Sequence, residues 1–209
     1  MRTQEQKARD RKEWFDDPVF IHGDLEGTHG GQRIQDDGRY HTLATWLNAE
    51  FPEKPPLVDI GCGVGFLLRN LRNLGWMNLH GFDLSAEAVR CQVANGLVQE
   101  CSMLDILDEY PALAGTAGVV LSWNAIGYLW PDQVPEALSV FRKLGASDCA
   151  HVISVTTAEL WTGTPGRRCV RPFAWWDRTF RACGFEFDPS RHARWRGQTG
   201  WLSYVLRAG

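Results

Sequence analysis

Leu57-Val-Asp-Ile-Gly-Cys-Gly-Val-Gly65 is the stretch from which the rest of the chain can be read. A short apolar run enters three alternating glycines, and the residues from Gly65 to about Leu74 carry leucines at helical spacing before Gly75 stops them. Strand, tight turn and helix are therefore predicted in that order. Glycines at the turn allow positive φ and let a ligand approach the main chain with no Cβ in the way. A dinucleotide fingerprint needs G-x-G-x-x-G, and Phe66 occupies the place of its third glycine. Here Asp59 stands two residues before the first glycine. A carboxylate there repels a pyrophosphate but can position a cationic amino group.

Working outward, Leu79-His-Gly-Phe-Asp83 reads as a second strand, with Ser85 as N-cap of a helix that runs to Asn95-Gly96. Asp83 lies 18 residues past Gly65, at a strand end where a carboxylate can accept hydrogen bonds from both hydroxyls of a ribose. A weak third strand is expected over 97–101, a fourth over 118–123, a helix from about Pro131 to Leu144, and a fifth strand over 151–155. Pro172 opens a helix that reaches Cys183. Final strands near 185–187 and 201–206 have no helix predicted between them and should pair directly as an antiparallel hairpin. Alternating strands and helices of this kind specify an α/β fold, with a seven-stranded, mostly parallel sheet and helices on both faces. The core opens on a helix from about Asp37 to Phe51, ended by Pro52, Pro55 and Pro56. Residues 3–15 read as a polar helix ending in Trp14-Phe15, and 16–36 as a glycine-containing loop. Together, residues 1–36 are expected to form a helical lid on a single domain whose core is 37–209.

Composition sets the outer limits. With 209 residues, 44% hydrophobic and 22% charged, the chain matches ordinary globular usage. No window approaches the ~18–20 apolar residues of a membrane helix, and Met1-Arg-Thr-Gln-Glu-Gln-Lys lacks the apolar core of a signal peptide, so a cytoplasmic location is expected. The six cysteines (62, 91, 101, 149, 169 and 183) form no C-x-x-C pair, which suggests reduced thiols and no metal site. A net charge of −3 argues against a nucleic-acid partner. That average conceals an asymmetry: residues 160–209 hold nine arginines against Asp177, Glu186 and Asp188, a balance of +6, and five of the ten tryptophans.

The glycine stretch, Gly81-Phe-Asp-Leu-Ser85 and Val119-Val-Leu-Ser-Trp-Asn-Ala-Ile-Gly-Tyr-Leu129 together resemble the class I S-adenosylmethionine-dependent methyltransferases, in their order. The resemblance implies a Rossmann-like core and S-adenosylmethionine as cofactor. It implies that Gly61, Cys62, Gly63 and Gly65 form the cofactor loop, that Asp59 orients the amino group, that Asp83 holds the ribose and that Leu84 packs on adenine. Ser102 and Met103 fall where the family contacts adenine, although Asp105 lies three residues later than the usual acid. Asn124, with the rest of 122–128, would line the floor near the methyl group.

Methyl transfer is an in-line displacement, so alignment, exclusion of water and, for a protonated nucleophile, a base are what the protein must supply. Candidates for the base are Tyr128, Glu159, His22, His29 and His41; an amine acceptor needs none. Ser122-Trp-Asn-Ala125 lacks the Asn/Asp-Pro-Pro-aromatic motif of enzymes that methylate planar nitrogens, and no Pro-Cys supplies a C5-cytosine nucleophile. Trp14, Tyr40, Trp161, Arg168, Arg171, Trp175 and Trp176 are candidates for substrate contact, because arginine offers a planar fork for anions and tryptophan a stacking face. The expected activity is methylation of N or O on a small, anionic molecule. RNA or protein methylation, a catalytically inactive binding protein and a nicotinamide or flavin Rossmann protein remain as alternatives. A homodimer is left open.

Overall fold

The computed structural model describes residues 38–158, 167–199 and 203–209. Strands β1 (Leu57–Ile60), β2 (Leu79–Asp83), β3 (Val98–Glu100), β4 (Ala117–Ser122), β5 (Gly145–Ser154), β6 (Phe185–Phe187) and β7 (Ser203–Ala208) form one sheet. Their spatial order is β3-β2-β1-β4-β5-β7-β6. The first five run parallel, and β7 is antiparallel to both β5 and β6. After β3 the chain crosses back to β4 on the other side of β1. Loops leaving the carboxyl ends of β1 and β4 are thereby set side by side, the geometry in which open parallel sheets hold ligands.

The helices are α1 (Arg39–Glu50), α2 (Phe66–Asn73), α3 (Ala86–Arg90), α4 (Ile106–Glu109), α5 (Val134–Leu144), α6 (Phe173–Ala182) and α7 (Pro189–Thr199). All four residues of β1 are buried, because both faces of the sheet are covered. Val58, Ile60, Val120 and Ile153 pack with Leu138 and Phe141 of α5 and Trp176 and Phe180 of α6. Leu57 and Leu121 meet Leu43 and Leu47 of α1, Leu68 and Leu71 of α2, and Trp195 of α7 on the other face.

Three expectations need correction. The helix after Ser85 ends at Arg90, well short of Asn95: Val93 N–H donates to Val64 O at 2.8 Å, and the Gln92 side chain accepts from Gly96 and Val98 N–H, so the chain turns early to cover the glycine loop. Ser85 does cap this helix, accepting from Ala88 N–H at 3.1 Å. β5 starts at Gly145, straight after α5, and bulges against β4 before the regular register from Ala150 onward. A helix, α7, separates β6 from β7. Its start has a cap that sequence reasoning passed over: Asp188 accepts from Arg191 N–H at 3.0 Å and Pro189 opens the first turn.

One core residue gives the fold a pH dependence. His151 is fully buried in β5, its Nε2 lies 3.2 Å from Phe141 O, and its ring meets Phe185 edge-on. Burial pulls its pKa down from 6.5 to about 4. The unfolded chain then binds a proton more readily, so stability is lost as pH falls from 6.5 towards 4. By pH 5 the loss should reach about 2 kcal/mol. Urea unfolding at pH 7 and pH 5 should show a smaller pH effect in His151→Gln than in the unsubstituted protein; equal effects would contradict this reading.

Candidate cofactor and acceptor site

The glycine loop is fastened to the next strand before any ligand arrives. Gly61 and Cys62 N–H both donate to Phe82 O, at 2.7 and 3.1 Å, and Gly65 N–H donates to Cys62 O at 3.1 Å. Gly61, Gly63 and Gly65 have φ of 75°, 55° and 85°, a region that side chains disfavour. Their missing side chains serve different ends. A Cβ on Gly61 would fall 2.1 Å from Ala125 Cβ, so this glycine lets the loop touch the segment after β4. A Cβ on Gly65 would strike Ala94 and Val98, which makes the visible role of Gly65 one of packing α2 against the α3–β3 connection. Around Gly63 no heavy atom of the described residues lies within 4 Å of that position. The loop is open there.

Two carboxyls close to the loop have different surroundings. Asp83 Oδ2 accepts from Gly63 N–H at 2.7 Å and Oδ1 from Ser85 N–H at 2.9 Å. Asp59 is 2% exposed, and its Oδ1 has no hydrogen-bond partner. Burial first, and the Asp83 charge second, push its carboxyl up to about 8. Burial first, and then the same two acids, raise the Cys62 thiol well above its ordinary value. An orphaned buried acid, a polar carboxylate beside it and an empty glycine face fit a ligand with both an ammonium group and a ribose. Asp59 and Asp83 would hold those parts of S-adenosylmethionine.

At the end of β3, Cys101 N–H donates to Asp83 O at 2.9 Å, which brings Ser102 and Met103 near Asp83. Both are half-buried; Ser102 Oγ accepts from Leu104 N–H at 3.3 Å. Leu84, also half-buried, lies between Asp83 and the cap Ser85.

The segment after β4 forms the other wall. Asn124 has φ 58°; its N–H donates to Ser154 Oγ at 2.6 Å, and its Oδ1 accepts from Arg167 Nη2 at 3.3 Å. Tyr128 is buried in a short 3₁₀ turn, with the Arg167 guanidinium 4.2 Å above its ring. Gly127 O accepts from both Arg168 and Cys169 N–H at 3.0 Å, and the Arg168 guanidinium covers Trp130 at 4.7 Å. Tyr40 stacks on Phe66, the first residue of α2, at 5.7 Å, which puts it beside the glycine loop. Arg171 is exposed and its backbone bridges Thr157. His41 is exposed on α1.

Trp176 corrects an expectation: it is fully buried, its Nε1 donates to Thr156 O at 3.1 Å, and its ring lies against Phe180. That is a core position, and Trp175 packs edge-on beside it. Trp14, His22, His29, Glu159 and Trp161 lie outside the described residues. The basic excess of residues 160–209 is partly neutralised from outside, where Arg191 and Arg194 pair with Glu50; Arg181–Asp177 and Arg207–Glu186 are pairs within the segment. Sequence reasoning missed Gly81, where a Cβ would strike Leu68 and Cys62, although a glycine inside a strand is a signal of close approach. It also missed Ser154, which lies remote in sequence from the Asn124 it holds.

Among the described residues no group of three or more His, Cys, Asp or Glu could hold a metal, no helix is long and apolar enough to cross a membrane, and the cysteines form no disulfide. Comparison with known proteins agrees with this geometry. Human methyltransferase-like protein 27 is 34% identical over 85 residues, 40% of this chain and 34% of its own length, so the chain spans about a third of that relative. A magnesium protoporphyrin IX methyltransferase from Synechocystis PCC 6803, solved with S-adenosylmethionine, shares the fold with a TM-score of 0.65 at 18% identity, over 100% of this chain and 99% of its own. The 1,6-didemethyltoxoflavin-N1-methyltransferase of Burkholderia thailandensis, solved with its substrate and S-adenosylhomocysteine, gives 0.63 at 15% identity over 99% and 89%. The model of the family described as a methyltransferase domain matches residues 35–209, and the chain belongs to that family.

Proposed function

We propose that this chain is an S-adenosylmethionine-dependent methyltransferase that acts on nitrogen or oxygen of a small, anionic molecule. The observation that carries the cofactor reading is the buried carboxyl of Asp59, whose Oδ1 has no hydrogen-bond partner, together with Asp83 and the open face of Gly63. When bound, S-adenosylmethionine supplies an electrophilic methyl group for in-line displacement. Asp59 neutralises an ammonium group, Asp83 and the backbone at Gly63 fix a ribose, and Leu84, Ser102 and Met103 flank a base. Asn124, pinned by Ser154 and Arg167, shapes the floor where an acceptor meets the methyl group, and Tyr128, buried in that wall, is a candidate for taking its proton. Water exclusion falls to Tyr40 and the buried wall of Trp123 and Tyr128.

Small-molecule acceptors are favoured by the similarity to the Synechocystis and Burkholderia enzymes, whose names state ring-bearing small substrates. A preference for anions draws on Arg168 and Arg171, which among the described residues form no ion pair with a carboxylate, and on Trp175 nearby. The test is incubation of the protein and S-adenosylmethionine with a panel of small carboxylates, phosphates and amines, read by mass spectrometry. A methylated carboxylate or phosphate is expected; turnover only with RNA or protein would overturn the reading. With that acceptor in hand, Arg168→Lys keeps the charge and loses the planar fork, so KM should rise about tenfold while kcat stays within about twofold. Unaltered KM in both Arg168→Lys and Arg171→Lys would remove the anionic preference.

A further inference from the structure

Among the described residues no cation forms an ion pair with Asp59. The groups that face it from neighbouring elements are the Asp83 carboxylate on β2 and the Cys62 thiol in the loop. His80 alternates to the opposite face of β2. On α1 and α2, which cover this side of the sheet, Tyr40 stacks on Phe66, His41 and Arg72 are exposed, Glu50 is held by Arg191 and Arg194, and Arg69 lies over the Phe66 ring. Arg39 stands half-buried at the start of α1, and beyond β4 the Arg167 guanidinium is directed at Asn124 and Tyr128. Among the described residues none of these cations forms an ion pair with Asp59. A fully enclosed carboxyl beside a second acid, with one oxygen lacking any donor, is neutral at pH 7 in the free protein.

We infer that docking of the cofactor's ammonium group expels the Asp59 proton to solvent, which makes cofactor binding proton-releasing. The inference rests on the S-adenosylmethionine reading above. Before binding the site holds a carboxylic acid and the ligand an ammonium; afterwards a carboxylate faces the ammonium and one proton has passed to the buffer. The O–H bond of Asp59 is the bond that breaks.

S-adenosylhomocysteine is titrated into the full chain by calorimetry at pH 7 in buffers of different ionisation enthalpy. The observed enthalpy should vary with that of the buffer at a slope of close to one released proton, and affinity should rise roughly tenfold per pH unit between pH 6 and 7.5. 5′-Methylthioadenosine, which lacks the amino acid, should bind with no slope. Asp59→Asn should bind S-adenosylhomocysteine without releasing a proton; if that variant does not fold, the contrast between the two ligands on the unsubstituted protein carries the test alone. The free protein supplies a second readout. The folded pKa lies above the unfolded one, so the Asp59 contribution to stability is present at low pH and lost as pH rises towards 8; the melting temperature of Asp59→Asn should lack this fall. Binding of S-adenosylhomocysteine with zero slope, or with the slope retained in Asp59→Asn, would overturn the inference alone. No binding at all would overturn the cofactor reading and this with it.

Discussion

Replacing Gly61 by alanine is expected to lower the melting temperature by about 10 °C, through a destabilisation of about 3–4 kcal/mol. Two costs add. The new Cβ would lie 2.1 Å from Ala125 Cβ, and one of these two backbone segments must move to admit it. The residue must also hold φ 75°, where an L side chain is strained by roughly 1–2 kcal/mol. Backbone movement here has a functional consequence, because Gly61 N–H and Cys62 N–H are both fastened to Phe82 O and position Asp59 and Asp83. Gly63→Ala is the internal comparison: similar φ, but open space around the Cβ. It should destabilise far less while still obstructing the cofactor. A differential scanning experiment in which the two variants melt within 2 °C of each other would contradict the packing described for Gly61.

Asp83→Ala is expected to weaken S-adenosylhomocysteine binding by at least about 100-fold, since two charge-assisted ribose contacts worth ~1.5–3 kcal/mol each are removed. The loss has a second source. Asp83 is what accepts Gly63 and Ser85 N–H, so its removal frees the loop that the ligand must meet in a fixed shape. Asp83→Asn separates the two contributions: the amide oxygen can still accept one backbone N–H, and its NH2 group cannot. Affinity should fall between those of the unsubstituted protein and Asp83→Ala. Titration of all three proteins under one set of conditions checks the order; normal affinity in Asp83→Ala would show that the ribose lies elsewhere.

The parallel half of the sheet was legible because its elements are punctuated locally. Pro56 and Gly61 bound β1, Gly75 stops α2, and Asp83-Leu-Ser85 joins a strand end to a cap. Each signal lies within a few residues of the element it bounds. The α7 helix was not legible from periodicity, since it buries Trp195 and spends Arg191 and Arg194 on Glu50, far away in the chain. An ion pair across that separation leaves no trace in a local window. The early end of α3 is similar, because Val93 is drawn to Val64 by a tertiary hydrogen bond that overrides the helical composition up to Asn95.

The same division runs through the site. Asp59, Gly61, Gly63 and Asp83 could be singled out from their spacing along one loop and the next strand. Trp176, judged by its neighbours in sequence, looked suited to a ligand, but the chain carries it into the core against Phe180 with its indole N–H taken by Thr156. Sequence position after β5 does not say which side of a helix faces the opening. The charge excess of the last fifty residues likewise looked like an anion surface, yet Glu50 from α1 takes up part of it. Residue sums over a segment ignore partners from outside it.

Titration calorimetry with S-adenosylhomocysteine and, separately, NAD on the unsubstituted chain tests the central claim most directly. Saturable one-to-one binding of S-adenosylhomocysteine and no heat with NAD are expected, because the Asp59 carboxyl fits an ammonium, Asp83 fits a ribose, and the loop lacks the third glycine of a dinucleotide fingerprint. Binding of NAD with none of S-adenosylhomocysteine would contradict the account.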